Sequence, residues 1–447
     1  LLTDEQIQEK VKELAKQVEK EFAGEELYVV GILKGACIFV SDLIRHIDLD
    51  VKIDFMSLSS YGMSLESSGV VKIIKDLDMD VEVLKSWLIV KVVLSMSGSL
   101  TDEMRQLGGM FGRYMSGIDK AKSVDKYAYY FATEVYSQVI SVYYGEKYFG
   151  EKAKQDVYNM VKSMIEVYKN RLSKNTWLNE NTSKNAIKKL ETLEILVGYP
   201  STYKDIYRKL IVDESKSFFE NNLAFTKMFT QYNFSKWNTL VDRKEWGMSS
   251  NTVNAYYSPS DNLICFPAAI LQKPFYSIDQ SKSKNYGGIG AVIGHEISHA
   301  FDNNGSQFDE NGNMNNWWTK EDYEKFDNLA KAMIDQFDGI EFNGGKVNGK
   351  LTVSENIADA GGLSCSLEAL KNSGEYDLQE FFINFARVWC RKAKKQYIDL
   401  LLKTDVHAPG ELRANIQPRN LEDFYKAFDI KEGDKMFMPV DKRVNIW

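Results

Sequence analysis

A mainly helical α+β fold, preceded by a short α/β segment, follows from three features of this 447-residue sequence. Strand-like and helix-like runs alternate over residues 1–75. Long amphipathic segments then follow one another from residue 100 to residue 197. Beyond Glu245 short strands, loops and helices interleave. The first pattern is that of an α/β unit, the second of packed helices, the third of an α+β domain. The length exceeds one ordinary compact domain and predicts two or three.

Taken in order, residues 1–23 place Ile7, Val11, Leu14 and Val18 at helical spacing, with Thr3 as a candidate N-cap and Gln6 three residues on. Residues 27–30 are an apolar run closed by Gly31, which reads as a buried strand. Residues 37–47 read as a helix, and 51–59 and 70–75 as strands, so a parallel sheet is expected. Near residues 81–87 the strand signals fade. Segments 100–118, 127–148, 152–172 and 183–197 have the apolar periodicity of helices. The change of texture puts a boundary near residue 82. No internal repeat or low-complexity stretch is visible.

Composition narrows the function. With 44% hydrophobic and 13% aromatic residues there is material for a real core. The net charge is −7, and Lys and Arg are interspersed with acids and apolar residues, as in 184–191; this excludes a nucleic-acid binder. Cys37, Cys265, Cys365 and Cys390 have neither zinc-knuckle nor disulfide-framework spacing. Free thiols in apolar settings such as Cys265-Phe-Pro predict a reducing, cytoplasmic setting. The best apolar stretch, 87–96, is interrupted by Lys91 and is too short to span a membrane. No secretory leader is recognised, although the chain begins with Leu1 and its N-terminus reads as incomplete. The oligomeric state is not set by any of these features.

The segment that carries chemistry is Gly294-His295-Glu296-Ile297-Ser298-His299, preceded by helical apolar spacing at Ile289, Val292 and Ile293. Positions i and i+4 share a helix face, so two imidazoles one turn apart can ligate one Zn²⁺. Glu296, between them, can take a proton from water without being a ligand. A catalytic zinc keeps three protein ligands, and no third His follows closely. Residues 353–362 offer Glu355 and Asp359 four apart. One can bind the metal while the other accepts a hydrogen bond from a ligand His.

Around these residues a resemblance becomes plain. Val253-Asn-Ala-Tyr-Tyr257, Phe266-Pro-Ala-Ala-Ile-Leu-Gln-Lys-Pro-Phe275, Gly287-Gly288 through His299, Ala300-Phe-Asp-Asn-Asn-Gly305, Trp317-Trp318, the stretch 355–362, Thr404-Asp-Val-His-Ala-Pro-Gly410, and Arg443 shortly before Trp447 occur in one order. Residues 83–447 thereby resemble the neprilysin / oligopeptidase O family of zinc metallopeptidases. The resemblance implies a gluzincin-type catalytic domain at 211–447 and a truncated helical lobe at 83–210. It implies His295, His299 and Glu355 as ligands of one zinc ion per chain, Glu296 as general base and Asp359 as the carboxylate behind a ligand His. His407 would stabilise the oxyanion, Asn254 and Ala255 would hold the substrate backbone as an added strand, and Arg413 would hold a substrate carbonyl. Ile270, Phe275, Val292, Val388 and Trp389 match the family's apolar pocket for the residue after the cut. The expected activity is endopeptidase cleavage of oligopeptides before apolar residues.

Residues 1–82 are different. Residues 2–14, Val29-Val-Gly-Ile-Leu-Lys-Gly-Ala36, Ile53-Asp-Phe-Met-Ser57, Ser59-Ser-Tyr-Gly62 and 66–78 resemble the hypoxanthine-guanine phosphoribosyltransferases. The resemblance implies a pyrophosphate contact at Leu33-Lys34-Gly35 and a mobile loop at Ser60-Tyr61. The match then stops: that family's next strand ends in two acids, where this chain has Lys91 and Val92, and no purine-binding half follows. The chain reads as a chimera of an incomplete transferase fragment and an incomplete peptidase. Its alternatives to peptidase activity are a transferase fragment and a catalytically impaired zinc-binding protein.

Overall fold

The structure is a computed structural model that describes residues 4–24, 27–33, 37–59, 72–75 and 81–446. The chain divides into two compact units, Leu1–Ser97 and Gly98–Trp447.

The first unit contains α1 (Asp4–Glu21), β1 (Leu27–Leu33), α2 (Cys37–Ile44), β2 (Val51–Ser59), β3 (Lys72–Lys75) and α3 (Val81–Met96). β1 and β2 pair in parallel, as the alternation predicts, but β3 pairs antiparallel to β2, so the sheet is mixed rather than parallel. Val11, Ala15, Leu27, Leu43 and Ile47 form its buried cluster. Residues 88–96, where the transferase family has a strand, lie in α3. Its run from Trp87 to Leu94 is apolar on several faces, and Ile89 and Leu94 are exposed. Thr3, residues 34–35 of the expected pyrophosphate loop, Ser60-Tyr61 and residues 70–71 of the expected third strand lie outside the described residues.

The second unit continues with α4 (Asp102–Gly108), α5 (Met110–Met115), α6 (Val124–Val135), α7 (Ser137–Tyr148), α8 (Glu151–Ser173), α9 (Glu180–Glu191), β4 (Glu194–Gly198) and α10 (Phe218–Ser235). The long amphipathic segments are helical but broken: 100–118 at Gly109 and 127–148 at Tyr136. Residues 194–197, expected to end a helix, lie in β4 instead. Their β-branched and leucine side chains pair in parallel with a strand some seventy residues away, register Leu196–Cys265.

Next come β5 (Tyr256–Ser258), β6 (Leu263–Pro267), α11 (Lys282–Asn285), a π-helical turn at Tyr286–Gly290, α12 (Ala291–Ser298), α13 (Lys320–Phe337), β7 (Glu341–Phe342), β8 (Gly345–Lys346), α14 (Val353–Asn372), α15 (Leu378–Val388), α16 (Lys395–Thr404), α17 (Gly410–Ile416) and α18 (Glu422–Phe428). The sheet order β4-β6-β5 leaves β5 at an edge. Every residue of β6 is buried, which fits a central strand covered on both faces. A continuous core runs from α8 through β6 and α12 to α14 and α15. No helix among the described residues is long and apolar enough to cross a membrane.

Candidate metal centre

The site begins with two glycines. A Cβ on Gly294 of α12 would stand 2.7 Å from the Gly362 Cα, and a Cβ on Gly362 of α14 would stand 2.4 Å from the His295 amide nitrogen. Only hydrogen at both positions lets the helix backbones touch. That contact carries the imidazoles of α12 to the carboxylates of α14. Tyr168 of α8, fully buried, pins the back of α12 by donating to the Gly294 carbonyl at 3.0 Å.

Four atoms converge. His295 Nε2 and His299 Nε2 are 3.0 Å apart, and Glu355 Oε2 lies 3.2 Å from the first and 3.5 Å from the second. His407 Nε2, from the loop before α17, reaches the same Oε2 at 3.1 Å. Behind them, His295 Nδ1 donates to Asp359 at 2.9 Å and His299 Nδ1 to Asp302 at 2.8 Å. With Nδ1 protonated, a neutral imidazole carries its lone pair on Nε2. In the neutral rings, lone pairs would therefore face one another and a carboxylate oxygen. Glu355 Oε2 is buried and makes no hydrogen bond of its own. Repelling donors at this spacing are what a shared cation requires. The corners of a tetrahedral zinc shell lie ~3.3 Å apart for bonds of about 2.0–2.1 Å. The donor set fits zinc.

The field agrees. Burial alone would lower the His299 pKa, yet Glu355 and Asp302 lift it well above the usual imidazole value. Burial likewise opposes ionisation of Glu355, but His299, His295 and His407 hold it well below the usual carboxylate range. A pocket this negative toward imidazole favours a cation. Glu296 is buried, with a carboxylate oxygen within 4.8 Å of a nitrogen of each α12 histidine. Burial raises its pKa, with the histidines opposing, which moves it toward the range of a working base.

Asp359 also receives Arg413, through Nε at 2.7 Å and Nη2 at 2.6 Å. Burial opposes ionisation of Asp359, but Arg413 and His295 bring its pKa down to about 2. The Arg413 guanidinium lies 3.6 Å from the centre of the Trp389 ring, and its Nη1 stands outside the pair with Asp359. Asn254 and Ala255 lead directly into the edge strand β5; Asn254 is exposed and Ala255 buried. Ile270 and Val292 are buried in the main core, with Phe275 and Trp389 packed against it, while Val388 is half-buried at the end of α15.

Three partners escaped the sequence reading. Asp302 takes His299, the Ser354 hydroxyl at 2.7 Å and the backbone amides of Asn304 and Gly305 at 2.8 Å. Its place three residues after His299 was the available signal. Asp405, two residues before it, takes His407 Nδ1 at 2.9 Å. Lys189, from α9, is buried beside the loop that carries Asp302. Burial pushes its ammonium down to about 7, against Asp302, Asp309 and Glu310.

Known proteins resemble this part of the chain. Residues 254–444 and 67–200 each match peptidase family M13. The C-terminal part of the chain belongs to peptidase family M13. Within the M13 part, the neutral endopeptidase of Lactococcus lactis is 49% identical over 364 residues, covering 81% of this chain and 58% of that protein. Human neprilysin is 32% identical over 391 residues, covering 82% of this chain and 51% of that protein. The crystal structure of PEPO from Lactobacillus rhamnosis superposes with a TM-score of 0.77 at 42% identity, covering 81% of this chain and 58% of that one. The chain thus spans a little over half the length of the relatives it matches. Residues 1–95 match the phosphoribosyl transferase domain, overlapping the M13 match over 67–95.

Proposed function

We propose that the chain is a zinc-dependent endopeptidase that hydrolyses oligopeptides before apolar residues. The observation that carries this reading is the convergence of His295, His299 and Glu355 on one point, with the buried Glu296 beside it. These three residues would hold one zinc ion. When bound, zinc supplies Lewis acidity toward water and the scissile carbonyl. Glu296 takes the proton of the attacking water and passes it to the leaving amine. Asp359 and Asp302 keep His295 and His299 in the tautomer that ligates.

The substrate backbone pairs with the chain at Asn254 and Ala255, which lead into β5, the edge strand of its sheet among the described residues. Arg413 would hold a substrate carbonyl through Nη1, while Nε and Nη2 brace Asp359. Ile270, Phe275, Val292, Val388 and Trp389 shape the pocket for the apolar residue after the cut. His407 donates to the oxyanion through Nε2; since Asp405 takes Nδ1–H, that role needs the doubly protonated ring. The buried thiols of Cys265 and Cys365 suit a reducing compartment, and we place the protein in the cytoplasm. We divide the chain into 1–82, 83–210 and 211–447: the overlap of two family matches over 67–95 supports the first boundary, and the interval between the two M13 matches, from 200 to 254, contains the second.

The direct test is Glu296→Gln. The amide keeps the shape but cannot take a proton, so zinc content should hold while peptide turnover falls by about 10²–10⁴. Equal turnover would remove Glu296 from the mechanism.

A further inference from the structure

We infer that Lys189 is a positioning residue of the metal centre: from α9 its ammonium clamps the loop that seats Asp302 against His299. The inference rests on the zinc reading above and extends it to a residue remote in sequence from the ligands.

Lys189 is only 1% exposed, and burying an ammonium is costly unless it is well partnered. Its partners are specific. Nζ donates to the Gly305 carbonyl at 2.6 Å and to the Phe308 carbonyl at 2.7 Å, and lies 5.7 Å from the ring centres of Tyr257 and Trp317. The Asn262 side chain fixes the Lys189 backbone by donating to its carbonyl at 2.9 Å.

Gly305 joins this lysine to the metal centre in two ways. Its amide donates to Asp302, the carboxylate that takes His299 Nδ1. Its α-carbon also abuts α12: a Cβ there would stand 2.0 Å from the His299 carbonyl oxygen. A pull on the Gly305 carbonyl therefore sets both the Asp302 carboxylate and the end of the helix that carries His299. Among the described residues, Asp302 receives no arginine comparable to the Arg413 that braces Asp359. Lys189 acts from one peptide further back, as the donor to the Gly305 carbonyl. Leucine or methionine at this position would save the desolvation cost but take the ammonium from both carbonyls, leaving Gly305 only the Phe308 amide at 3.1 Å and Phe308 only the Trp317 indole N–H at 2.8 Å.

If Lys189 holds the loop in the arrangement that binds zinc, zinc binding must in return hold the loop on Lys189. This gives two measurements on the full chain. In the first, zinc affinity is measured by competition with a chelating dye for the parent and for Lys189→Met. Loss of partners behind a ligand weakens metal binding 10–100-fold, and about tenfold is expected here. A purely structural role would lower the stability of zinc-loaded and zinc-stripped protein alike and leave zinc affinity unchanged. In the second, which needs no variant, the parent is acylated with and without zinc and modification of Lys189 is followed by mass spectrometry. Zinc should slow it several-fold, while exposed lysines such as Lys184 react equally in both states. Unchanged zinc affinity in a folded Lys189→Met protein overturns the inference, as do equal Lys189 labelling rates in the parent. Should Lys189→Met fail to fold, the labelling rates decide alone. A parent that binds no zinc through His295 and His299 brings down the zinc reading and this inference with it; a zinc-binding parent with either negative result brings down this inference alone.

Discussion

The two units each carry a match to an enzyme family, yet they differ in what their cores can support. In the second, α8, β6, α12, α14 and α15 enclose a continuous apolar body, and a charged network sits inside it. In the first, among the described residues, the apolar cluster is built on Val11, Ala15, Leu27, Leu43 and Ile47, and the sheet has three strands. Burying Glu355, Asp359 and Arg413 together costs desolvation that only rigid, complete partnering offsets. The second unit partners Asp359 with Arg413, and its glycine-tight helix contact sets Glu355 Oε2, which makes no hydrogen bond, against the histidines. A family match therefore becomes a site only where the packing that desolvates and aligns the groups is also present. Away from the site the second unit exposes large apolar side chains, with Phe111, Tyr114 and Trp237 each more than 70% exposed. Those faces favour association.

The largest test of this contrast concerns His407, which stands among the converging atoms without being one of the three proposed ligands. His407→Ala should lower kcat by about a hundredfold or more, with zinc content and substrate binding nearly unchanged, because an oxyanion donor acts in the transition state. Zinc loss would instead make His407 a ligand, which its 3.1 Å approach to Glu355 allows geometrically. A smaller effect is expected from Gly362→Ala. The new methyl group would meet the His295 amide at 2.4 Å, so α12 and α14 must part. Overpacking of this kind costs about 1–3 kcal/mol, and thermal unfolding and zinc titration should both register it. Unchanged stability and affinity would show that the glycine contact does not set the site. The smallest signal is expected from the first unit: no nucleotide from hypoxanthine or guanine with phosphoribosyl pyrophosphate and magnesium. Turnover above a protein-free control would show that this segment closes a site of its own.

The legible parts of the molecule were those governed by short-range periodicity. Residues 152–172 read as one helix because their apolar face continues unbroken, and α8 spans Glu151–Ser173. Residues 194–197 misled because a short apolar run has no period of its own, and its partner strand lies beyond Asn262. The antiparallel pairing of β3 was equally hidden, since strand direction depends on a connection that local pattern does not describe. In the site, His295, Glu296 and His299 were legible from spacing alone. Glu355 and Asp359 needed the family resemblance to be told apart. Asp302 and Lys189 act through one loop, and only tertiary structure brings α9 to that loop.

The central claim is that α12 and α14 together hold one zinc ion. Metal analysis of the purified full chain and of His295→Ala tests it most directly. The account predicts about one zinc per chain in the parent and loss of that zinc in the variant, because two remaining protein ligands bind poorly. Full retention of zinc by a folded His295→Ala protein would contradict it.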